Sequence, residues 1–447
     1  MSDTIAAVAT AAGVGSVAIV RVSGERAPDI ARRLSKRDTF IPRHAHLCNL
    51  YDTHDELIDE AIVIWFKAPH SFTTEEVVEF QCHGGTVVAE KILDTVLAYG
   101  ARLAEPGEFT RRAFLGGRID LSEAEAIAKL IEAKSEDAAK ILARQMKGEL
   151  KTFVEALRDR LLRAIAFAEV TIDYAEEDLP PDMVDDLLHQ LDELTERIGR
   201  IVASSRRRRG LVEGFKVAIV GKPNVGKSSL LNALLDYERA IVSEIAGTTR
   251  DTIEEQVRIG THLVRIVDTA GIRRSKDAIE KIGIERSIAA IEESDIVVAL
   301  FDLSRPWDAE DEQIMELLER YAGEKEIIVA LNKTDLPQKL SLEPLEKWHP
   351  LMLESGRKGE QIAEALKRRL DAMGKSDEIL LISARQIETV ERAAGAIEAA
   401  KEPLQRGELE LFTFHLQEAV EAVASISRPV NFNEIMDKMF GEFCLGK

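Results

Sequence analysis

The chain has 447 residues, which predicts about three domains, and its 45% of apolar residues is ample for sizeable cores. Its 79 acidic residues outnumber 59 basic ones, and the net charge of −20 excludes a general affinity for nucleic acid, so any RNA contact needs a local basic patch. The three cysteines are widely separated, which predicts a cytoplasmic protein without disulfides or a zinc site. The first residues lack a basic leader and no run of about 18 apolar residues occurs, so we expect neither export nor a membrane span.

The first 120 residues predict an α+β domain. Three β-like runs, "SVAIVRVSG", "EAIVIWFKAP" and "TVVAEKILDTVLAYG", alternate with turn signals. The pattern ends near "EPGEFTRRAFLGGRIDL", so we expect this domain to span residues 1–120.

Residues 121–210 predict helices, because apolar residues recur at helical spacing from Ile127 to Leu161. Pro180 and Pro181 interrupt the pattern, and a second amphipathic helix runs up to "SSRRRRG". The arginines at 206–209 are either a solvated linker or an RNA contact, and both interpretations stay open.

Residues 211–385 predict an α/β domain with a doubly wound sheet. Its buried-strand runs are "FKVAIVG", "LVRIVDTAG", "DIVVALFD", "EIIVALNKTD" and "EILLISAR". Residues 386–447 return to helix. Because domain termini often lie close together, we predict that this α/β domain is inserted into one helical domain made of 121–210 and 386–447.

The segment "GKPNVGKSSL" contains a phosphate-binding loop between a predicted strand and a predicted helix. In such a loop backbone N–H groups surround the phosphates, Lys227 reaches the terminal phosphates and Ser228 binds Mg²⁺. "DTAG" at 268–271 places Asp268 near the magnesium ion and the Gly271 amide near the γ-phosphate, and Thr249 in "GTTRD" is the expected switch threonine.

The motif "NKTD" at 332–335 selects guanine, because Asp335 can accept two N–H groups that adenine does not offer. "ISAR" at 382–385 completes the motif order of a GTPase of the translation-factor type. The predicted nucleotide contacts are Asn224, Val225, Gly226, Lys227, Ser228, Ser229, Ser243, Glu244, Ile245, Ala246, Gly247, Thr248, Thr249, Asp268, Thr269, Ala270, Gly271, Asn332, Lys333, Asp335, Ser383, Ala384 and Arg385.

The residue after "DTAG" is Ile272, where Ras-type enzymes carry a glutamine that orients the attacking water. An aliphatic side chain cannot do this. Three nearby acidic residues, Asp277, Glu280 and Glu285, are equal candidates on the residues alone.

The whole chain resembles the bacterial tRNA-modification GTPase family MnmE, also called TrmE. The resemblance rests on "SFTTEEVVEFQCHGG", "PGEFTRRAFLGGRIDLSEAEAIAKLI", "KPNVGKSSLLNALL", "IAGTTRD", "DTAGIR", "EKIGIERS" and the terminal "FCLGK". It implies a multidomain α+β and α/β fold: an N-terminal folate-binding domain that dimerises, a split helical domain and an inserted Ras-like G domain. It also implies a heterotetramer with the flavoprotein MnmG that modifies the wobble uridine of certain tRNAs.

The resemblance assigns roles to particular residues. Asn224, with Ser243, Ile245 and Thr248, would bind a K⁺ ion that replaces an arginine finger, and Glu280 would position the attacking water. Arg21, Glu79 and Arg118 would bind a tetrahydrofolate derivative, in the 5-formyl or 5,10-methylene form. Cys444 would reach the modification site. Relatives often carry threonine at Ser243 and lysine at Arg118, so these two contacts can differ in geometry.

Two other functions are compatible with parts of the sequence. A ribosome-assembly GTPase shares the aliphatic residue after "DTAG", but that class lacks the first 120 residues. A GTP-gated scaffold without chemistry of its own would not need Cys444.

Overall fold

The structure is a computed structural model that describes residues 3–11, 13–173, 181–239, 255–267, 282–374, 379–428 and 446. It divides into two compact units. The first comprises Met1–Ala128, Met146–Glu177 and Glu408–Lys447, and the second comprises Lys129–Gln145 and Asp178–Gly407. Each unit contains helices from both 121–210 and 386–447, the two segments of the predicted helical domain. The two units are therefore not the predicted domains, and the predicted domain boundaries remain a prediction.

Strands and helices follow one another along the chain in the order expected for an α+β region and an α/β region. The strands are Ile5–Val8 (β1), Val17–Ser23 (β2), Ala45–Tyr51 (β3), Leu57–Phe66 (β4), Val77–His83 (β5), Arg102–Leu103 (β6), Phe215–Val220 (β7), Glu255–Ile259 (β8), His262–Val267 (β9), Ile296–Asp302 (β10), Glu326–Asn332 (β11) and Leu351–Met352 (β12). The helices are Ala27–Ser35 (α1), Thr86–Ala98 (α2), Glu108–Leu115 (α3), Leu121–Glu132 (α4), Glu136–Met146 (α5), Glu149–Asp173 (α6), Pro181–Arg208 (α7), Gly210–Glu213 (α8), Lys227–Arg239 (α9), Ile282–Glu293 (α10), Ala309–Tyr321 (α11), Lys358–Gly374 (α12), Ala384–Gln405 (α13) and Leu409–Ser427 (α14), with a 3₁₀ turn at Glu343–Trp348. Within the described ranges, no helix is both long enough and apolar enough to cross a bilayer.

The sheet of the first unit has the order β3-β4-β5-β2-β1-β6. Its pairs are antiparallel except β1 with β6. Alternate residues of β2, Val20 and Val22, belong to a core that also contains Ile30 of α1 and Ile92 of α2. The side chain of Arg21 therefore points to the opposite face of the sheet. In the same unit α6 packs along α14.

One predicted strand of this unit is wrong. "TVVAEKILDTVLAYG" contains helix α2, not a β-like run. Its buried residues Ala89, Ile92 and Val96 recur every three or four positions, which is the spacing of one helix face, and this periodicity outweighs the β-branched residues.

The sheet of the second unit has the order β12-β11-β10-β7-β9-β8, and all its pairs are parallel except β8 with β9. Alternate residues of the central strand β10 enter two separate cores: Ile296, Val298 and Leu300 on one face, Val297, Ala299 and Phe301 on the other. A strand buried on both faces explains the continuous apolar run, and the doubly wound sheet is confirmed.

The predicted strand in "EILLISAR" does not form over its described residues, 379–385. Leu380 and Leu381 are buried. Their backbone groups form hydrogen bonds with side chains and not with a neighbouring strand. The Gln145 amide donates to Leu380 O, the Leu381 N–H donates to Ser205 Oγ at 2.9 Å, and Lys129 Nζ donates to Ile382 O at 2.8 Å.

Candidate functional site

The phosphate-binding loop connects the end of β7 to the first residue of α9, as the motif predicts. Gly221 and Gly226 have φ angles of 151° and 109°, a region that L side chains rarely adopt. A Cβ atom on Gly221 would lie 2.5 Å from Leu300 O, and one on Gly226 would lie 2.2 Å from Asn332 Nδ2. Gly221 therefore requires glycine for space as well as for conformation, whereas Gly226 requires it for conformation, since the Asn332 side chain could move aside.

Lys227 lies at the centre of this loop. Its Nζ donates to Gly221 O at 2.6 Å and to Lys222 O at 2.9 Å. Burial lowers the pKa of Lys227, and the negative charge of Glu310 offsets this only in part. An anionic phosphate in the loop would stabilise the charged ammonium better than the carbonyl oxygens do.

The predicted potassium ligand Asn224 is exposed and has a φ angle of 64°, which asparagine tolerates better than most residues. Val225 beside it is buried, Ser228 is half-buried, and the hydroxyl of Ser229 accepts a hydrogen bond from Lys358. The loop thus exposes the side-chain amide of Asn224.

Lys222, which sequence reasoning did not single out, anchors the loop. Its Nζ lies 2.6 Å from Asp308 Oδ2 and 2.6 Å from Asp311 Oδ2, and its side chain is only 5% exposed. Asp308 also caps α11 by accepting from the backbone N–H groups of Glu310 and Asp311. Desolvation opposes the charge on Lys222, but the two aspartates outweigh it and raise its pKa.

The base-recognition motif begins at the last residue of β11. Asn332 Nδ2 donates to Val225 O at 2.7 Å, which joins this motif directly to the phosphate loop. Lys333 has a φ angle of 62°, and its Nζ lies 2.5 Å from the buried carboxylate of Asp302. Asp335 is exposed, so its carboxylate is accessible to a base.

The last nucleotide motif stands at the start of α13. Ser383 is the N-cap residue and its hydroxyl accepts from the Gln386 N–H at 3.2 Å. Ala384 is exposed and Arg385 is half-buried.

Many predicted site residues lie outside the described residues. They are Ser243, Glu244, Ile245, Ala246, Gly247, Thr248, Thr249, Asp268, Thr269, Ala270, Gly271, Glu280 and Cys444, together with the alternative Asp277. Glu285 lies in α10, but its side chain is likewise outside the description.

The predicted folate residues are partly brought together. Arg21 and Glu79 are direct cross-strand neighbours on β2 and β5, and Arg21 Nε donates to Glu79 Oε1 at 2.9 Å. The Arg21 guanidinium lies over the ring of Phe109, 5.7 Å from its centroid. Arg118 is exposed and, within the described residues, makes no hydrogen bond or ion pair with Arg21 or Glu79.

A neighbouring ionic network in the first unit was not predicted. Arg112 reaches Asp3, Glu75 and Glu108 at 2.9–3.0 Å, and Arg102 also binds Glu108, at 2.6 Å. Of these contacts, only the pair Glu108 and Arg112 could be recognised in the sequence, from its i, i+4 spacing on a helix. The network ties the chain start to α3, which carries Phe109.

The C-terminal Gly446 is buried in the same unit, with a φ angle of 92°. A Cβ atom on it would lie 2.3 Å from Val8 O. Val8 ends β1, and the next residue inward, Ala7, pairs with Arg21. Gly446 therefore lies beside the strand that adjoins Arg21.

Three of the four arginines at 206–209 are paired or buried within the protein. Arg206 pairs with Glu391 at 2.7 Å, Arg209 pairs with Glu213 at 2.6 Å, and Arg208 is buried. These contacts favour a structural role over an RNA contact for three of the four.

Comparisons with known proteins cover the whole chain. A family model described as "GTP-binding protein TrmE N-terminus" matches residues 4–118, and one described as "MnmE helical domain" matches residues 121–444. The tRNA modification GTPase MnmE of Sulfurovum sp. (strain NBC37-1) is 62% identical over 447 residues, covering 100% of this chain and 99% of the relative. That of Sulfurimonas denitrificans is 60% identical over 445 residues, with the same coverage. A crystal structure of Era with MgGDPNP and part of 16S ribosomal RNA is 26% identical, with a TM-score of 0.26, and the match covers 41% of this chain and 66% of that chain.

Proposed function

We propose that this chain, a GTP hydrolase of the MnmE family of tRNA modification GTPases, uses the hydrolysis of GTP to drive the modification of tRNA. The hydrogen bond from Asn332 to Val225 supports this proposal, because it joins the phosphate-binding loop to the motif that selects guanine. GTP binding would exchange the carbonyl partners of Lys227 for phosphate oxygens. Ser228 and Thr249 would bind Mg²⁺, with Asp268 close by.

The charge that develops during hydrolysis needs a cation, and the phosphate loop contains no arginine. We propose K⁺ in this role, bound by Asn224 together with Ser243, Ile245 and Thr248. The exposed position of Asn224 in the phosphate-binding loop supports it, because an exposed side-chain amide oxygen is free to bind a cation. Glu280 would position the attacking water.

A folate one-carbon donor is the proposed ligand of the first unit. Arg21 Nε donates to one oxygen of Glu79. Among the residues that the structure describes, the second Glu79 oxygen and the two terminal guanidinium nitrogens of Arg21 form no hydrogen bond, so they could bind a pterin and a carboxylate tail. Arg118 would contribute from the exposed segment after α3. The ring of Phe109 fixes the Arg21 guanidinium from one side.

The product would be a wobble uridine carrying an aminomethyl or carboxymethylaminomethyl group at carbon 5. The flavoprotein MnmG would supply the redox chemistry and most of the tRNA grip, since a chain with a net charge of −20 holds a polyanion poorly. The working assembly would be a cytoplasmic homodimer joined with MnmG. Gly446 lies beside the strand next to Arg21, which supports delivery of Cys444 to the same region.

The test is a bacterial strain that lacks this protein. Mass spectrometry of its tRNA should show the wobble uridine unmodified, and the wild-type chain should restore the modification. GTP turnover of the purified chain should fall on the order of 10³-fold when K⁺ is replaced by Na⁺, because charge stabilisation of the arginine-finger kind is lost. Equal turnover in both salts would remove potassium from the proposal, and modified tRNA in the deletion strain would refute the tRNA function.

A further inference from the structure

Two lysines close to the phosphate-binding loop have carboxylate partners. Lys222 lies between Asp308 and Asp311, and Lys333 is paired with the buried carboxylate of Asp302. Their charges are therefore neutralised inside the protein, and they add little to the attraction of a phosphate.

Lys358, the first residue of α12, has a different environment. Its Nζ donates to the hydroxyl of Ser229, which is a neutral group. Within the described ranges, Lys358 forms no ion pair, whereas the adjacent Arg357 is paired with Glu354 and Glu360. Because an ammonium group has three N–H donors, Lys358 can bind a further acceptor while it keeps Ser229.

The packing of α12 against α9 fixes the position of Lys358. Buried leucine and isoleucine residues of the two helices belong to one core. A Cβ atom on Gly359 would lie 2.3 Å from Ala233 O, so the two helices touch directly beside Lys358. Gln361 Oε1 accepts from the Glu354 N–H at 2.8 Å, which holds the segment before the helix. The half-buried Lys358 is therefore placed by rigid elements.

Ser229 brings Lys358 to the start of α9. Lys227, Ser228 and Ser229 are the first three residues of this helix, and the N–H groups at a helix start attract phosphates. Successive residues of an α-helix are rotated by about 100°, so Ser229 and Lys227 lie on nearly opposite sides of the helix axis. Lys358 therefore approaches the phosphates from the side opposite to the lysine that the motif assigns to the terminal phosphates.

The segment before Lys358 adjoins the base-recognition motif. Strand β12 pairs in parallel with β11, so the two strands end at the same edge of the sheet. Thr334 of the motif donates to Leu353 O at 2.7 Å. Residues 353–358 thus run from the base-recognition motif to the start of α9, which is the path from a base to its first phosphate.

We propose that Lys358 binds the α-phosphate of the guanine nucleotide. This inference rests on the nucleotide site of the proposed function and adds a cation to it. GDP and GTP share the α-phosphate, so Lys358 strengthens the binding of both nucleotides by the same factor.

The test is calorimetric titration of the full-length chain with GDP and with a non-hydrolysable GTP analogue, in the presence of Mg²⁺. Lys358→Met should raise the Kd of both ligands about tenfold, because a hydrogen bond to a charged group is lost. Lys358→Arg keeps the cation and should lose less. Arg357→Met removes a neighbouring cation that has its own carboxylates, and this matched control should bind both ligands within about twofold of wild type.

Salt separates a charge effect from a change in folding. Raising the ionic strength from about 0.1 M to about 1 M shortens the screening length from about 10 Å to about 3 Å, so the difference between Lys358→Met and wild type should shrink. Lys358→Gln serves in the same titrations if the methionine variant does not fold. Unchanged GDP binding by a folded variant would overturn the inference, and so would a loss confined to the GTP analogue or shared equally by Arg357→Met. The proposed function fails separately, if the wild-type chain binds neither nucleotide.

Discussion

Replacing Lys222 by methionine should destabilise the second unit strongly. The substitution keeps the length of the side chain but removes the charge between Asp308 and Asp311. Asp311 is 1% exposed and would be left as a buried carboxylate without a cation, whereas Asp308 is 51% exposed and can be solvated.

The magnitude follows from this asymmetry. Breaking a buried ion pair from one side costs about 3–5 kcal/mol, and the exposed half of this cluster adds little, so we take the lower figure of about 3 kcal/mol. For a unit of about 250 residues, each kcal/mol lowers the midpoint of thermal unfolding by about 2–4 °C. The expected decrease is therefore about 6–12 °C.

Calorimetry of the full-length chain measures this decrease directly. The transition of the second unit is the one that moves to higher temperature when GTP is added, because a ligand stabilises the unit that binds it. The double variant Lys222→Met with Asp311→Leu should regain at least half of the loss, since it no longer buries an unpaired charge. A midpoint within about 2 °C of wild type for the single variant, or a double variant no better than the single one, would refute the reasoning.

Two further predictions concern the first unit. Burial disfavours the charged form of Glu108, but hydrogen bonds from Arg102, the Glu105 backbone and Arg112 outweigh it and hold the pKa of Glu108 below its ordinary 4.5. The ionised Glu108 therefore contributes its full stabilisation above pH 4.5, and this contribution is lost as the pH falls through the lower pKa of the folded state. Urea unfolding at decreasing pH should show this loss of stability. The substitution Glu108→Gln should make the stability less dependent on pH in this range. Burial raises the pKa of the Cys48 and Cys82 thiols, so both should resist iodoacetamide until the chain is unfolded, as peptide mass spectrometry can check. Rapid alkylation of either cysteine in the folded chain would contradict that expectation.

The phosphate-binding loop could be predicted from sequence because its residues are contiguous and its geometry is local. Gly221, Gly226 and Lys227 lie where the motif requires, between a strand and a helix. The family resemblance assigned Arg21 and Glu79 to one ligand without pairing them, and the antiparallel register of β2 and β5 brings the two side chains into contact. Short-range patterns of this kind carry their own structural information.

The contacts that the sequence did not reveal join distant segments. Lys222 meets partners 86 and 89 residues away, and the backbone of Leu380 is satisfied by Gln145, 235 residues earlier. No local pattern identifies such pairs. The error at α2 has a different cause. The helical spacing of the apolar residues Ala89, Ile92 and Val96 can be recognised in the sequence, but the β-branched residues were given too much weight.

The discontinuous first unit has a consequence for the order of events on the ribosome. Its helix α6 packs along α14, which is made only after the roughly 230 residues of Asp178–Gly407. At a synthesis rate of about 5–20 residues per second, α6 waits about 10–45 seconds for its partner. During that interval the second unit can fold completely, while buried positions of α6 such as Leu157 and Leu161 lack their final neighbours. The second unit, which contains the GTPase sheet, can thus be complete while the first unit, where the chain begins, still lacks helix α14.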